Sequence, residues 1–215
     1  MIIVLYTRIP EACSVDKYNL LLNRLPTGCH DQINRFRTMN LKLSRIFGKI
    51  LLLESFKRIG VRDFNLSQIS LTKYGRPYIN SNAHEVDFNI SHSGEFVVCA
   101  ITKNFNLGVD IEEMVPVDFS DFSHILTPEE MNDVQKAEYP LHKLYSYWTG
   151  KESVAKADGR GVSIMKDLSI NQGTAHINGC QWYLKELDIH SCYSSFLATT
   201  DNTLQVSVEY IDIVY

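Results

Sequence analysis

Apolar residues in this chain follow two rhythms, one helical and one alternating. Residues 2–7 (IIVLYT) predict a first strand, and residues 14–24 (SVDKYNLLLNR) predict a helix with Ser14 as its N-cap. Pro26-Thr27-Gly28 breaks that helix. Across 38–59, Leu43, Phe47, Ile50, Leu51 and Phe56 recur at helical spacing, and Gly60 supplies a stop. From residue 69 the period shortens. ISLTKYGRPYI (69–79), VDFNIS (86–91), FVVCAITK (96–103) and LGVDIEEM (107–114) predict strands, with turns at Gly75-Arg76-Pro77 and His92-Ser93-Gly94. Thr127-Pro128-Glu129-Glu130 has the form of a capping box and opens a helix expected to reach about Ala137. A second helix is expected from about Pro140 to Ala157, ending near Gly159, with Leu141, Leu144, Tyr145 and Trp148 as its apolar stripe. The remainder, including WYLKELDI, SSFLATT and LQVSVEYIDIV, is strand-rich.

Strand, helices and strands thus follow one another twice, with a seam near residues 103–107. The expected fold class is α+β: two similar subdomains in a pseudo-twofold arrangement, residues 1–104 and 105–215. A chain of 215 residues is long enough for such a pair with a proper core. Its hydrophobic content of 45% and charged content of 21% are those of a globular protein. No apolar run is long enough to span a membrane, and the N-terminus lacks the basic region of a signal peptide. Five scattered cysteines with no C-x-x-C pair suit reduced thiols in a cytoplasmic protein, and no Cys/His spacing suggests zinc.

Charge sharpens the division. Residues 1–104 carry 14 Lys and Arg against 8 Asp and Glu, a net of +6, whereas residues 105–215 carry 7 against 17, a net of −10. A basic half facing an acidic half suits a polyanion on one side and a cation on the other; solvated faces produce the same asymmetry.

Two places carry chemistry. Asp110 and Glu112 sit at i and i+2 of a strand and share a face. Two carboxylates about 4 Å apart repel by on the order of 4 kcal/mol at an effective dielectric of about 20, which exposure, protonation or a bound cation relieves. The apolar neighbours Leu107, Val109 and Ile111 argue against full exposure. Residues 148–161 read WTGKESVAKADGRG, placing Trp148, Glu152 and Lys156 on one helix face. The alternatives there are a surface Glu–Lys pair and a third carboxylate turned into a cleft, where three carboxylates would suit Mg²⁺. Asn89-Ile90-Ser91-His92-Ser93-Gly94 is a strand ending in a polar turn. Ser beside His without a G-x-S-x-G elbow argues against a serine hydrolase, leaving a phosphate-facing turn or a plain one.

Taken together and in this order, LGVDIE and WTGKESVAK resemble the two-part signature of 4′-phosphopantetheinyl transferases. YGRP and FNISHSGEFVVCAI upstream look like the additional motifs of the Sfp-type branch. The resemblance covers roughly residues 35–165, and its specificity lies in the combination. It implies a Mg²⁺-dependent transferase that moves 4′-phosphopantetheine from coenzyme A to a serine of an apo acyl or peptidyl carrier protein, releasing 3′,5′-ADP. By the same resemblance, Asp110, Glu112 and Glu152 hold Mg²⁺ against the CoA pyrophosphate, and Lys156 meets the departing phosphate. Lys151 contacts the phosphates, and Ser91 and His92 bind the 3′-phosphate or pyrophosphate region. Gly75, Arg76 and Pro77 line the adenine pocket, and Arg45 meets the 3′-phosphate. Glu152 or a metal-bound water takes the serine proton. A monomer without nucleic-acid or membrane partners is implied.

Two departures stand out. Residues 27–34 (TGCHDQIN) carry no lysine where relatives often do, with Arg35 and Arg37 the nearest cations, and Arg76 replaces a usual Lys. Competing readings are a non-catalytic CoA or nucleotide-binding module, which need not keep all three carboxylates and Lys156, and a Mg²⁺-dependent phosphohydrolase or nuclease, which the −10 charge of the carboxylate-bearing half disfavours.

Overall fold

The run FVVCAIT has no polar alternation because its strand is covered on both faces. In the computed structural model, which describes residues 1–79, 85–203 and 205–214, the fold is assembled around that strand. β1 (Ile2–Arg8) precedes helices α1 (Val15–Leu22), α2 (His30–Asn34) and α3 (Met39–Arg58). A small hairpin follows, β2 (Ile69–Leu71) with β3 (Pro77–Ile79), then β4 (Val86–Ser93) and β5 (Phe96–Lys103). The second half contains β6 (Leu107–Glu113), α4 (Pro128–Lys136), α5 (Pro140–Asp158), β7 (Ser169–Asn171), β8 (Thr174–Ile177), β9 (Cys180–Glu186), β10 (Tyr193–Thr199) and β11 (Val206–Tyr210).

Two main sheets result. The first has the order β11-β1-β5-β4, and the second β6-β10-β9-β8-β7. Alternate residues of the first sheet face opposite cores, as strand geometry requires. Ile3, Leu5, Val97, Cys99 and Ile101 pack under Leu43, Phe47, Leu51 and Phe56 of α3. Ile2, Val4, Val98 and Ala100 face the other way, onto Leu107, Val109, Ile111 and Leu197 of the second sheet. The far face of the second sheet carries α5 through Val154, Ala155, Ala157, Ala198 and Trp182. The α+β class expected from the pattern is what forms.

Local signals hold at most boundaries. Ser14 accepts from the Lys17 amide, and Thr127 and Glu130 complete a reciprocal capping box. Gly159 closes α5 at φ +89°, a conformation costly for any residue with a Cβ. Two expectations shift. His92 and Ser93 belong to β4, so the turn falls at Gly94 (φ +51°). Residues 30–34 continue as the short α2 beyond the Pro26 break. Of the strand-rich run 204–214, Leu204 lies outside the described residues. Only Val206–Tyr210 forms a strand, and it pairs in parallel with β1 (Ile2↔Val206 to Tyr6↔Tyr210) in the first sheet. Among the described residues, no helix is long and apolar enough to cross a membrane, and the five cysteines are free thiols.

The two sheets meet along β4 and β6 through side chains. The odd-numbered residues of β4 point at β6. Asp87 Oδ2 accepts from the Leu107 amide at 2.8 Å, and Asn89 Oδ1 accepts from the Val109 amide at 3.1 Å. Ser91 Oγ donates to Asp110 Oδ1 at 2.8 Å, and Ser93 Oγ accepts from the Glu113 amide at 3.1 Å. This polar seam ends at the two carboxylates singled out by sequence.

Candidate functional site

Alternation along β6 buries Leu107, Val109 and Ile111 between the sheets and turns Asp110 and Glu112 toward α5. The helix comes close because β6 has Gly108 at the crossing, where a Cβ would overlap the Ser153 carbonyl and the Ala157 amide. On α5, Trp148 packs edge-on against Phe122 at 5.1 Å, and Glu152 and Lys156 follow at i+4 and i+8.

Asp110 is 1% exposed. Its Oδ1 accepts from Lys156 Nζ at 2.6 Å and from Ser91 Oγ at 2.8 Å, and Lys156 Nζ also donates to Ser91 Oγ at 2.8 Å. Its Oδ2 is buried with no hydrogen-bond partner among the described residues. Glu112 accepts from Ser93 Oγ at 2.8 Å. Burial, reinforced by the charge of Asp110, pushes its pKa up to about 7. Burial raises Asp110 against the pull of Lys156, and burial together with Asp110 raises Glu152. The three carboxylates therefore sit where their charges are unfavourable and a cation would be welcome.

Among the described residues, no group of three or more His, Cys, Asp or Glu side chains is closed enough to hold a metal ion. Lys156 and Ser93 occupy one oxygen each of Asp110 and Glu112. The orphaned Asp110 Oδ2 nevertheless fits a hard cation, and Mg²⁺ commonly uses only one or two carboxylates, completing its shell with water and phosphate oxygens.

A cavity of about 760 Å³ opens beside Lys156. Arg45 and Lys49 of α3 and Lys156 give it a cationic wall, His92 of β4 lies among its lining residues, and Leu52, Phe88 and Ile90 give it an apolar floor. Gly75 and Pro77 of the hairpin turn lie on its rim, Gly75 at φ +82°. Burial, then the charges of Arg45 and Lys156, lowers the His92 pKa and favours the neutral ring. Arg45 also lies over the Phe36 ring at 4.9 Å. The lysine-free segment contributes Gly28, Cys29 and Gln32 to the lining, none of them charged.

Lys151 and Ser91, expected at the phosphates, and Arg76, expected to line the adenine pocket, have their side-chain polar groups engaged within the protein. Lys151 is fully buried, with Nζ 2.6 Å from Glu130 Oε2 and donating to the Ile125 carbonyl at 2.8 Å. Its position, one residue before Glu152, turns it about 100° around the helix and into the α4 contact. Ser91 is 5% exposed and engaged between Asp110 and Lys156, so it belongs to the carboxylate cluster. Arg76 lies at the cavity edge, but its guanidinium points into the seam, 2.6 Å from Asp87 Oδ2.

The structure also adds residues. Asp87, Asn89 and Ser93 hold the β4–β6 seam, and the polar alternation D-x-N-x-S-x-S within VDFNISHS carried that signal. Lys49, at i+4 from Arg45, adds a cation to the cavity wall and was legible from helix spacing.

Comparison with known proteins finds matches to both halves of the chain. Residues 12–104 match the family model described as "4′-phosphopantetheinyl transferase, N-terminal", and residues 106–208 match that of the 4′-phosphopantetheinyl transferase superfamily. A "4′-phosphopantetheinyl transferase" of Bacillus subtilis is 38% identical over 98 residues, 44% of this chain and 42% of its own length. The "4′-phosphopantetheinyl transferase gsp" of Aneurinibacillus migulanus is 27% identical over 170 residues, 76% and 68% of the two chains. The "4′-phosphopantetheinyl transferase Sfp" of Bacillus subtilis (strain 168) is 30% identical over 124 residues, 57% and 54% of the two chains. The chain thus spans about half the length of two of these relatives and about two thirds of the third.

Proposed function

The chain belongs to the Sfp-type 4′-phosphopantetheinyl transferase family, and on that premise we propose that it moves 4′-phosphopantetheine from coenzyme A to a serine of an apo acyl or peptidyl carrier protein, releasing 3′,5′-ADP. The observation that carries the reading is the position of Lys156. Its Nζ binds the buried Asp110 while the residue lines the cationic cavity, joining the carboxylates to a chamber suited to a nucleotide.

In this reading residues 1–104 bind the nucleotide and residues 105–215 carry the chemistry. The adenine packs against Gly75, Pro77 and the apolar floor. Arg45, Lys49 and His92 meet the 3′-phosphate side, where the charge absent from residues 27–34 is replaced by α3 cations. Asp110, Glu112 and Glu152 would hold Mg²⁺, which when bound neutralises charge on the pyrophosphate as a Lewis acid. Lys156 lies beside the scissile linkage and stabilises the charge that grows on the departing 3′,5′-ADP phosphate. Glu152, its pKa raised chiefly by burial, is suited to take the proton of the attacking serine. The serine oxygen displaces the nucleotide phosphate in line, so no covalent enzyme intermediate is required. The enzyme works as a cytoplasmic monomer without nucleic-acid or membrane partners.

Intact-mass analysis of apo carrier proteins incubated with CoA and Mg²⁺ tests the proposal. The expected result is one phosphopantetheine added per carrier, abolished by chelation and by Asp110→Asn. CoA breakdown without carrier modification favours a phosphohydrolase, and CoA binding without either reaction favours a binding module.

A further inference from the structure

The side chain of Arg76 makes contacts that a phosphate ligand would not need. It leaves the hairpin turn, whose Thr72 hydroxyl accepts from the Arg76 amide, and crosses to three other elements. Nη2 donates to both carboxylate oxygens of Asp87 on β4, at 2.8 and 2.6 Å. Nη2 also reaches the carbonyl of Leu107 at the start of β6, at 3.1 Å, and Nε donates to the carbonyl of Lys156 at 2.9 Å. That last carbonyl lies in the final turn of α5, where no intrahelical donor remains and the helix dipole is negative. The passage is shaped for it, since a Cβ on Gly159 would lie 2.7 Å from Arg76 Cδ. Gly159 therefore serves both the left-handed helix stop and the path of this side chain.

We propose that Arg76 is a positioning residue that fixes the backbone of Lys156, and so keeps Nζ on Asp110 and Ser91, while tying that lysine to the turn on the cavity rim. The role of Lys156 at the phosphates rests on the function proposed above; the positioning itself does not. A planar fork with several donors can satisfy Asp87, Leu107 and Lys156 together, whereas a lysine ammonium at the end of a flexible stem cannot hold all three in one geometry.

The test compares wild type, Arg76→Lys and Arg76→Ala by amine acetylation read out by mass spectrometry, alongside 3′,5′-ADP affinity and steady-state transfer. The Lys156 side chain is 29% exposed and tied to Asp110, whereas Lys143 and Lys57, at 41% and 66%, serve as internal references. The expected result is about a fivefold or greater acceleration of Lys156 labelling in both variants, with the references unchanged. Transfer kcat should fall about tenfold or more while 3′,5′-ADP affinity stays within about threefold. Unchanged Lys156 labelling overturns the proposal, and so does parallel acceleration of all lysines, which marks general loosening. A tenfold loss of 3′,5′-ADP affinity with kcat intact also overturns it and makes Arg76 a nucleotide contact. If wild type modifies no carrier but Lys156 labelling responds as expected, the transferase reading falls and the positioning role stands.

Discussion

Lys151→Met separates a structural lysine from a phosphate-binding one. In the folded chain Nζ lies 2.6 Å from Glu130 Oε2 and donates to the Ile125 carbonyl at 2.8 Å, with the side chain wholly out of solvent. Glu130 in turn accepts from the Thr127 amide at 2.8 Å and the Ile170 amide at 2.9 Å. Methionine fills similar volume but leaves the Glu130 charge without its cation. Breaking a buried pair costs about 3–5 kcal/mol, and the two remaining amide donors place this site near the lower end. For a chain of this size, each kcal/mol shifts Tm by about 2–4 °C. The expected loss is therefore about 6–12 °C, measured by thermal unfolding and checked by urea denaturation at constant m. Adding Glu130→Gln should cost less than the sum of the two single changes, by about 1 kcal/mol or more. The CoA KM of the surviving folded enzyme should stay within about threefold of wild type. A Tm loss under about 3 °C together with a tenfold rise in KM for CoA would refute this reasoning and return Lys151 to the phosphates.

Three further outcomes are expected. Glu112, pushed from an ordinary 4.5 up to about 7, contributes stability that is complete below 4.5 and lost as pH rises through about 7. The ceiling is about 3 kcal/mol, reduced to about 1–2 for a partly exposed group, so Glu112→Gln should flatten the fall in Tm between about pH 5 and 8. Asp110→Asn should lower transfer by about 100-fold or more while leaving 3′,5′-ADP affinity within a few-fold, read by coupled kinetics and calorimetry. Gly108→Ala should destabilise by about 1–3 kcal/mol, because the α5 backbone occupies the space of the new methyl group, and chemical denaturation measures the loss.

Features encoded within a few residues were legible. The Thr127–Glu130 capping box, the Ser14 cap and the Gly159 stop each depend on neighbours in sequence and formed where expected. The shared face of Asp110 and Glu112 follows from strand alternation alone. Contacts between distant elements were not legible. Helical spacing separates Lys151 from the Glu152 face, but only the packing of α4 shows that Glu130 waits on the other side. A Gly-Arg-Pro turn announces a cation at the cavity rim, yet its direction depends on Asp87 and on α5, 11 and 80 positions away. The parallel pairing of β11 with β1 joins opposite ends of the chain, and nothing in an alternating apolar run names its partner.

That pairing has a consequence for biosynthesis and for any attempt to divide the protein. Until residues 206–210 emerge from the ribosome, β1 presents an open row of backbone amides and carbonyls, the kind of edge that recruits other chains. The first sheet is completed by a strand made after the whole second sheet. A fragment cut at the charge boundary would carry α3 and its core but lack its outermost strand. The two halves are therefore interlaced, and neither is a freely exchangeable module.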